Sequence, residues 1–557
     1  MNKKKIFIGV AWPYVNGELH VGHLAGYLLP ADITARFFRA TGHDVLMASG
    51  SDCFGTPITV EADKKKVTPK EIVDLYHEKD VKLFIEILGL TYDIYTKTDT
   101  QNHIQITQDF FLKFLEKNVI IIDTTKQYYS SEDKKFLPDR YVEGKCRLCG
   151  FEDARSDQCD NCGKLLEQGD LIDPRSKLTG KKVELKDTQH YFIDWPKLET
   201  KLKDYVTPKQ SLWKNWVYQE TMGWIKNGLK PRAISRDIEW GVPLPIDRIP
   251  EDKRIDNIEN KRLYVWFEAV IGYYSASVEW GEKSGRDWKE FWYGENLKHY
   301  NFMGKDNLVF HTIFWPGQLM TYDEKLHLPD VVSINMFLNL KGKQFSKSRG
   351  VTIPIVDVVE KYGNDPLRFY LTLIMPENSD SSFTFDDFIE KNNEILVANL
   401  GNFIHRSLSL AQGADHNKIT SQAFTEAHKK LVEEAFRNAR IHLEKCQFKL
   451  YLEEVLKLSA HANKFINDEK VWEQKSVNSE EFYSSLRQLY GFVIALGFLI
   501  SPIMPKASRE LFKQIGVDKQ DLWPELGEEA QVIEQLLSHV DTSIKPSLLF
   551  KKFEVAA

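Results

Sequence analysis

A chain of 557 residues is too long for one hydrophobic core and divides into about three to four domains. With 42% hydrophobic and 12% aromatic residues it is globular rather than disordered, and a formal charge of −6 leaves any nucleic-acid partner to meet a local basic patch. The apolar run after Lys3-Lys4-Lys5 ends at Pro13 without a cleavage site, and no stretch approaches the roughly 18 to 20 apolar residues of a membrane helix, so the expectation is a cytoplasmic protein with no membrane contact.

Ile6 to Pro13 reads as a short apolar strand, Asn16-Gly17 as a turn, and His20 to about Ala40 as an amphipathic helix. Strand, loop, helix is the unit that binds phosphates at a helix N-terminus. In its first turn His20 and His23 share one face, and Gly22 between them leaves the backbone bare enough for a flat base, which suits ATP. A strand near Asp44 to Ala48 and helices near Pro69 to Leu88 and His103 to Lys117 continue a parallel α/β half-domain.

The next stretch, to about residue 235, is less regular and reads as an insertion in the sheet, ending in a helical stretch from Trp213 to Asn227. It holds four of the six cysteines as Cys146-x-x-Cys149 and Cys159-x-x-Cys162, each pair closed by a glycine, Gly150 and Gly163. Two such knuckles are the spacing of one structural, tetrahedral four-thiolate zinc site, whereas disulfides need an oxidising compartment that nothing here supports. Cys53 and Cys446 stand alone and default to buried neutral thiols.

Alternation of strand and helix resumes from Ile234 through Leu263 to Ser275, Tyr300 to Met320 and Val331 to Leu340. From about Asp386 the pattern turns to long helices: Phe388 to Leu410, Ala423 to Lys445, Leu450 to Phe465 and Glu480 to Ile500, broken at Ser501-Pro502 and Met504-Pro505. The expected fold class is α/β, a Rossmann-like parallel sheet split by a zinc-binding insertion and followed by an α-helical bundle domain. The expected divisions are 1–118 and 236–340 for the two sheet halves, 119–235 for the insertion, 341–385 for a loop and stem-contact region, 386–545 for the helical domain and 546–557 for a tail.

Far downstream of His20-Val21-Gly22-His23 stands Phe345-Ser346-Lys347-Ser348. In their contexts the two resemble the paired HIGH and KMSKS signatures of class I aminoacyl-tRNA synthetases. Ala11 to Gly17, Gly50 to Ile58, Ile234 to Asp237, Tyr264 to Ala269 and Gly304 to Asn307 sharpen this into a resemblance to the methionyl-tRNA synthetase family, in order from Ile6 to about Trp472.

The resemblance implies an ATP- and Mg2+-dependent ligase acting on L-methionine and tRNA(Met), with His20, His23 and Lys347 as catalytic groups. It implies ATP contacts at His20, Gly22, His23, Asp306, Phe345, Ser346, Lys347 and Ser348. It places methionine among Ala11, Trp12, Tyr14, Asp52, Arg236, Trp266, Ala269, Tyr273, Phe310 and His311, with Asp52 on the α-ammonium and Arg236 toward the carboxylate end. An aromatic cage suits a thioether, because sulfur favours ring edges. The resemblance further implies anticodon contacts at Asn402, Arg406 and Trp472, and the expected state of this chain is a monomer. Three positions depart from the family pattern: Gln344 where the loop usually begins with Lys, Trp12 in place of an aliphatic residue, and Val471 where a Pro usually precedes the Trp.

Overall fold

The computed structural model describes residues 3–554 except 133, 139–140, 157–158, 160, 163–165, 167–168, 178, 341–342, 345–351, 478 and 519–521, and only the backbone of 343–344. Its centre is a five-stranded parallel sheet of β1 (Lys5–Val10), β2 (Asp44–Ser51), β3 (Ile94–Lys97), β4 (Leu297–Gly304) and β5 (Val331–Asn335), in the order β5-β4-β1-β2-β3. Ile6 to Val10 and all of β5 are buried, the near-continuous apolar run expected of parallel strands covered on both faces. Strand order reverses between β1 and β4, and in such sheets the crevice beyond the carboxyl ends at that point is where ligands bind. Ala11 to Tyr14 follow β1, Asp52 follows β2, and the Lys305–Asn307 turn follows β4, so three of the family-like segments meet at that crevice.

The helix expected from His20 to Ala40 is continuous but changes pitch, running as α over Val21–His23, π over Leu24–Leu28 and α again over Leu29–Ala40. π turns concentrate at functional sites, and a second one, Phe310–Phe314, carries two of the candidate pocket residues.

The insertion is more ordered than its sequence suggests. Ile120–Ser130 and Glu184–Ile193 form a long antiparallel pair, and Val142–Cys146, Ala154–Arg155 and Leu171–Ser176 make a small sheet around the cysteines. The central sheet resumes at Leu297 rather than near Ile234. The strands in between, Arg232–Ala233, Ser235–Arg236, Val242–Pro243 and Arg262–Leu263, are two residues each and pair antiparallel.

Beyond Ser381–Phe383 the chain is helical. Glu426–Glu444, Phe448–Asp468 and Glu480–Ile500 agree with the expected spans within three residues, and Pro505–Gln514 and Glu529–Leu537 are additional. Glu480–Ile500 corrects one expectation: it is long and apolar enough to cross a membrane, yet 94% of its apolar window is buried inside the protein. The C-terminal segment docks back, with Phe550 buried and Asn393 bonded to the backbone of Phe553 in both directions at 2.8 Å.

Candidate active site

His20 caps the helix that opens the crevice. Its Nδ1 accepts the Gly22 N–H at 3.2 Å, and His23 Nδ1 accepts the His20 N–H at the same distance, a reciprocal capping box made of imidazoles. Because both Nδ1 atoms accept, the neutral rings hold their protons on Nε2. Each is thereby a donor at a positive helix end, with ring centroids 3.9 Å apart. Phe345, Ser346, Lys347 and Ser348 lie outside the described residues, but the backbone on both sides of them is placed. Lys343–Gln344 pairs with Asn339 and Leu340, and Ile353–Ile355 returns beside Leu19–Val21, with the Val21 N–H on the Ile353 carbonyl at 3.2 Å. The segment is thus flanked at one end by the His20 turn.

Asp52 is buried (4% exposed), and among the described residues its carboxylate receives one hydrogen bond, from the Phe54 N–H at 3.4 Å. Burial, and then the nearby Glu268, push its pKa well above the usual carboxylate range. A buried acid in this state is completed by a cation. Arg236 is half-buried, stacks 4.8 Å from the Tyr264 ring and bonds the Ser235 carbonyl at 3.0 Å. Beneath it Lys261, fully buried, bonds Asp237 at 2.6 Å and Thr188 at 2.8 Å, and Asp237 also faces His190 at 3.2 Å.

The aromatic side of the pocket is assembled from two helices. The Tyr273 hydroxyl lies 2.7 Å from His311 Nε2, and His311 Nδ1 lies 2.9 Å from the Asn307 carbonyl. A carbonyl only accepts, so Nδ1 carries the proton and Nε2 accepts from Tyr273. Burial holds His311 neutral, its pKa lowered to about 4. Both ring nitrogens are thus satisfied within the protein. Phe310 meets Trp266 edge-on at 5.6 Å, and Trp266 is 48% exposed. Ala11 is buried, and Tyr14 and Ala269 are half-buried. The Trp12 indole fits between two glycines: a Cβ would stand 2.2 Å from it at Gly50 and 2.7 Å at Gly272. Asp306 is exposed on the turn after β4.

The four cysteine sulfurs Cys146, Cys149, Cys159 and Cys162 lie within 4.8 Å of one another, and Cys149 and Cys159 are 3.6 Å apart. Sulfurs at about 2.3 Å from a tetrahedral zinc are roughly 3.8 Å apart, so the set fits such an ion with little movement. The Phe151 N–H and then the Asn161 amide lower the Cys149 thiol to about 6, toward the thiolate a metal needs.

In the helical region Arg406 lies over the Trp472 ring at 5.8 Å and bonds Asn467 at 3.2 Å. Asn402 is exposed one turn earlier on the same helix, and Trp472 is 45% exposed while its neighbour Val471 is fully buried. Sequence reasoning assigned no role to Glu268, His103 or the Lys261–Asp237 pair. Glu268 stands inside the family-like segment Tyr264 to Ala269, and that was its only signal.

Residues 6–408 match the family described as tRNA synthetases class I (M). The chain is 41% identical over 521 residues to the methionine–tRNA ligase of Thermomicrobium roseum, covering 92% of this chain and 87% of that protein. It is 38% identical over 532 residues to that of Thermobifida fusca, covering 92% and 86%. The fold is similar to that of Mycobacterium tuberculosis methionyl-tRNA synthetase in complex with methionyl-adenylate, with a TM-score of 0.76 and 21% identity over 98% of this chain and 99% of that one. By sequence over most of its length and by fold, the chain belongs to the methionyl-tRNA synthetase family of class I aminoacyl-tRNA synthetases.

Proposed function

We propose that the chain is a methionine–tRNA ligase. It joins L-methionine to ATP as methionyl-adenylate, releasing pyrophosphate, and passes the methionyl group to the 3′ end of tRNA(Met) for initiation and elongation. The observation that carries this reading is Asp52, a buried carboxylate without a cation among the described residues, beside an aromatic pocket at the switch point that His20 and His23 open. Relatives of about 40% identity bear the name of this activity.

The methionine carboxylate attacks the α-phosphorus of ATP and the bond to pyrophosphate breaks, so no protein nucleophile is required. The Nε2–H groups of His20 and His23 donate to phosphate oxygens where negative charge grows, and Lys347, as the family resemblance implies, supplies a further cation. ATP would enter with Mg2+, which would offset part of the phosphate charge. Asp52 holds the α-ammonium and Arg236 lies toward the carboxylate end. His311 and Tyr273, bonded to each other and to Asn307, offer no ring N–H to a polar side chain, and Trp266, Phe310 and Tyr14 give a thioether its ring edges. The four cysteines hold one structural Zn2+, a closed site with no position for substrate. Trp472, Arg406 and Asn402 meet the anticodon, and a tRNA substrate places the work in the cytoplasm.

The test is amino-acid-dependent ATP–pyrophosphate exchange across methionine, leucine, isoleucine and valine. Exchange with methionine alone is expected. Exchange led by a branched amino acid, or none with a folded protein, would refute the reading.

A further inference from the structure

A cavity of about 750 Å3 lies between the zinc-binding insertion and the sheet domain, outside the amino-acid pocket. The sheet domain lines it with Phe54 and Trp240, and the insertion with Phe136, from the short strand Lys135–Phe136. The Phe54 N–H is the one that donates to Asp52, and the Tyr14 ring packs so closely on Gly55 that a Cβ there would stand 2.1 Å from it. The cavity and the amino-acid pocket therefore share a wall. The Trp240 indole is fixed by its N–H on the Cys53 carbonyl at 2.6 Å, with its ring 5.3 Å from that of Phe54. Phe136 is half-buried and meets Tyr129 edge-on at 5.2 Å.

Three cations, Lys134, Lys135 and Arg262, also line the cavity. Its acids are more fully engaged. Asp237 is matched by the buried Lys261 at 2.6 Å, and Asp63 accepts the Tyr141 hydroxyl at 2.5 Å and is followed by the exposed run Lys64-Lys65-Lys66. Among the described residues neither Lys134 nor Arg262 pairs with an acid. Lys135 reaches from the insertion to Glu239 at 3.3 Å, but that carboxylate is 85% exposed, so the pair is weak. Cations beside accessible rings are what a single nucleic-acid strand needs, since its phosphates are neutralised and its bases stack.

The hydroxyl that takes the methionyl group is on the last ribose of tRNA. The nucleotides just before it must then lie against a surface continuous with the amino-acid pocket, and this cavity is such a surface. We propose that it receives the unpaired 3′ strand of tRNA, with one base stacked on Phe136 and with Lys135 exchanging Glu239 for a phosphate. The inference rests on the ligase reading above. Glu239 is on this account an internal competitor of the phosphate, and removing its charge favours the strand.

The proposal is tested by filter binding of two RNAs, intact tRNA(Met) and the same tRNA cut back to its last base pair, to wild type, Phe136→Ala, Lys135→Ala and Glu239→Gln. Melting temperatures and methionine-dependent pyrophosphate exchange are measured alongside, and exchange should be unchanged in all three variants. Phe136→Ala is expected to weaken intact tRNA about tenfold and the shortened tRNA less than twofold. Lys135→Ala should weaken intact tRNA about fivefold and reduce the slope of log affinity against log salt by about 0.7, the share of one single-strand phosphate. Glu239→Gln should tighten intact tRNA about threefold. A folded Phe136→Ala or Lys135→Ala protein that binds intact tRNA as wild type does, or is weakened alike for both RNAs, overturns the proposal, as does a Glu239→Gln protein that binds intact tRNA no more tightly. If Phe136→Ala does not fold, the two exposed positions decide by the same criteria. A wild type without methionine-dependent exchange sinks the ligase reading instead.

Discussion

On the anticodon reading of Trp472, Trp472→Ala should separate recognition of tRNA from amino-acid activation. In the structure Val471 is the buried residue and Trp472 is the exposed one, so removing the indole leaves the core intact. A base stacked on an indole contributes about 1 to 3 kcal/mol. Because about 1.4 kcal/mol is a factor of ten, kcat/KM for tRNA charging should fall roughly fivefold to 150-fold. Arg406, which lies over the same ring, remains tied to Asn467 and keeps its charge available to the tRNA, so the loss should stay within that range. Pyrophosphate exchange needs no tRNA and should be unchanged. His23→Ala, at the phosphate end, should abolish both reactions. The two assays are run side by side on each variant with melting temperatures recorded. Loss of exchange in a folded Trp472→Ala protein, or full charging, would remove the anticodon assignment of Trp472 and with it the support for Asn402 and Arg406.

Elemental analysis should find one zinc per chain. Cys159→Ser should lower that content and loosen the small sheet between Val142 and Ser176, reducing activity indirectly, and metal-free wild-type protein of full activity would refute the site. Lys347→Ala should slow adenylate formation by about 2 to 4 kcal/mol, the scale of one lost transition-state contact, whereas Gln344→Lys should change the rate far less. Equal and opposite effects in single-turnover measurements would move the phosphate role away from Lys347. Burial and then the charge of His327 hold the His299 pKa at about 3, well below its ordinary 6.5. The unfolded chain therefore takes the proton first as pH falls below about 6.5, and the stability His299 contributes is lost at about 1.4 kcal/mol per pH unit down to about 3. Urea midpoints for wild type and His299→Gln should converge between pH 6.5 and 5, and a constant gap from pH 7.5 to 5 would contradict this.

Features written in local spacing were legible in the sequence. Four cysteines in two x-x pairs need only two tight turns to converge, and their sulfurs do converge. Helix Glu480–Ile500 was delimited at its end by the Ser501-Pro502 break, and in the structure Ser479 caps its start through the Phe482 N–H. Partners far apart in the chain were not legible. The His103 contacts to Glu268 and Ser275 span 165 and 172 residues, and nothing near any of the three announces the others. The pair Ile120–Ser130 with Glu184–Ile193 was missed because much of it faces solvent and carries charges, which blurs the alternation that marks a strand. Resumption of the sheet was expected near Ile234 because apolar clusters recur there, but the Pro243, Pro245 and Pro250 region cannot supply the donors of a central strand. Arg236 and Asp52 were singled out by motif, but no local spacing announced the buried Lys261–Asp237 pair next to Arg236.

The two ends of the molecule are joined by directional bonds. Asp32, fully buried on the helix that begins at His20, takes Arg36 at 2.8 Å, Arg368 at 2.7 Å and the Thr91 N–H at 2.8 Å. Burial alone would raise its pKa, and the two guanidiniums hold it below the carboxylate range instead. Arg368 also donates to the carbonyls of Ile503 and Pro502, in the turn that follows the long buried helix. At the end of β5, Lys214 spends its three protons on the Ile334 carbonyl, Asn335 Oδ1 and the Glu377 carbonyl at 2.8 to 2.9 Å, and the Glu377 side chain accepts the Lys449 N–H at 2.9 Å. Burial lowers Lys214 to about 8, but three aligned acceptors favour its charged form at neutral pH. Buried charges of this kind add little net stability over apolar packing, yet an unmatched one costs several kcal/mol. An apolar contact slides at small cost, whereas these bonds are lost by a shift of an ångström or so. The placement of the helical region, and hence of Trp472, relative to the His20 turn is therefore set within the chain before any tRNA arrives.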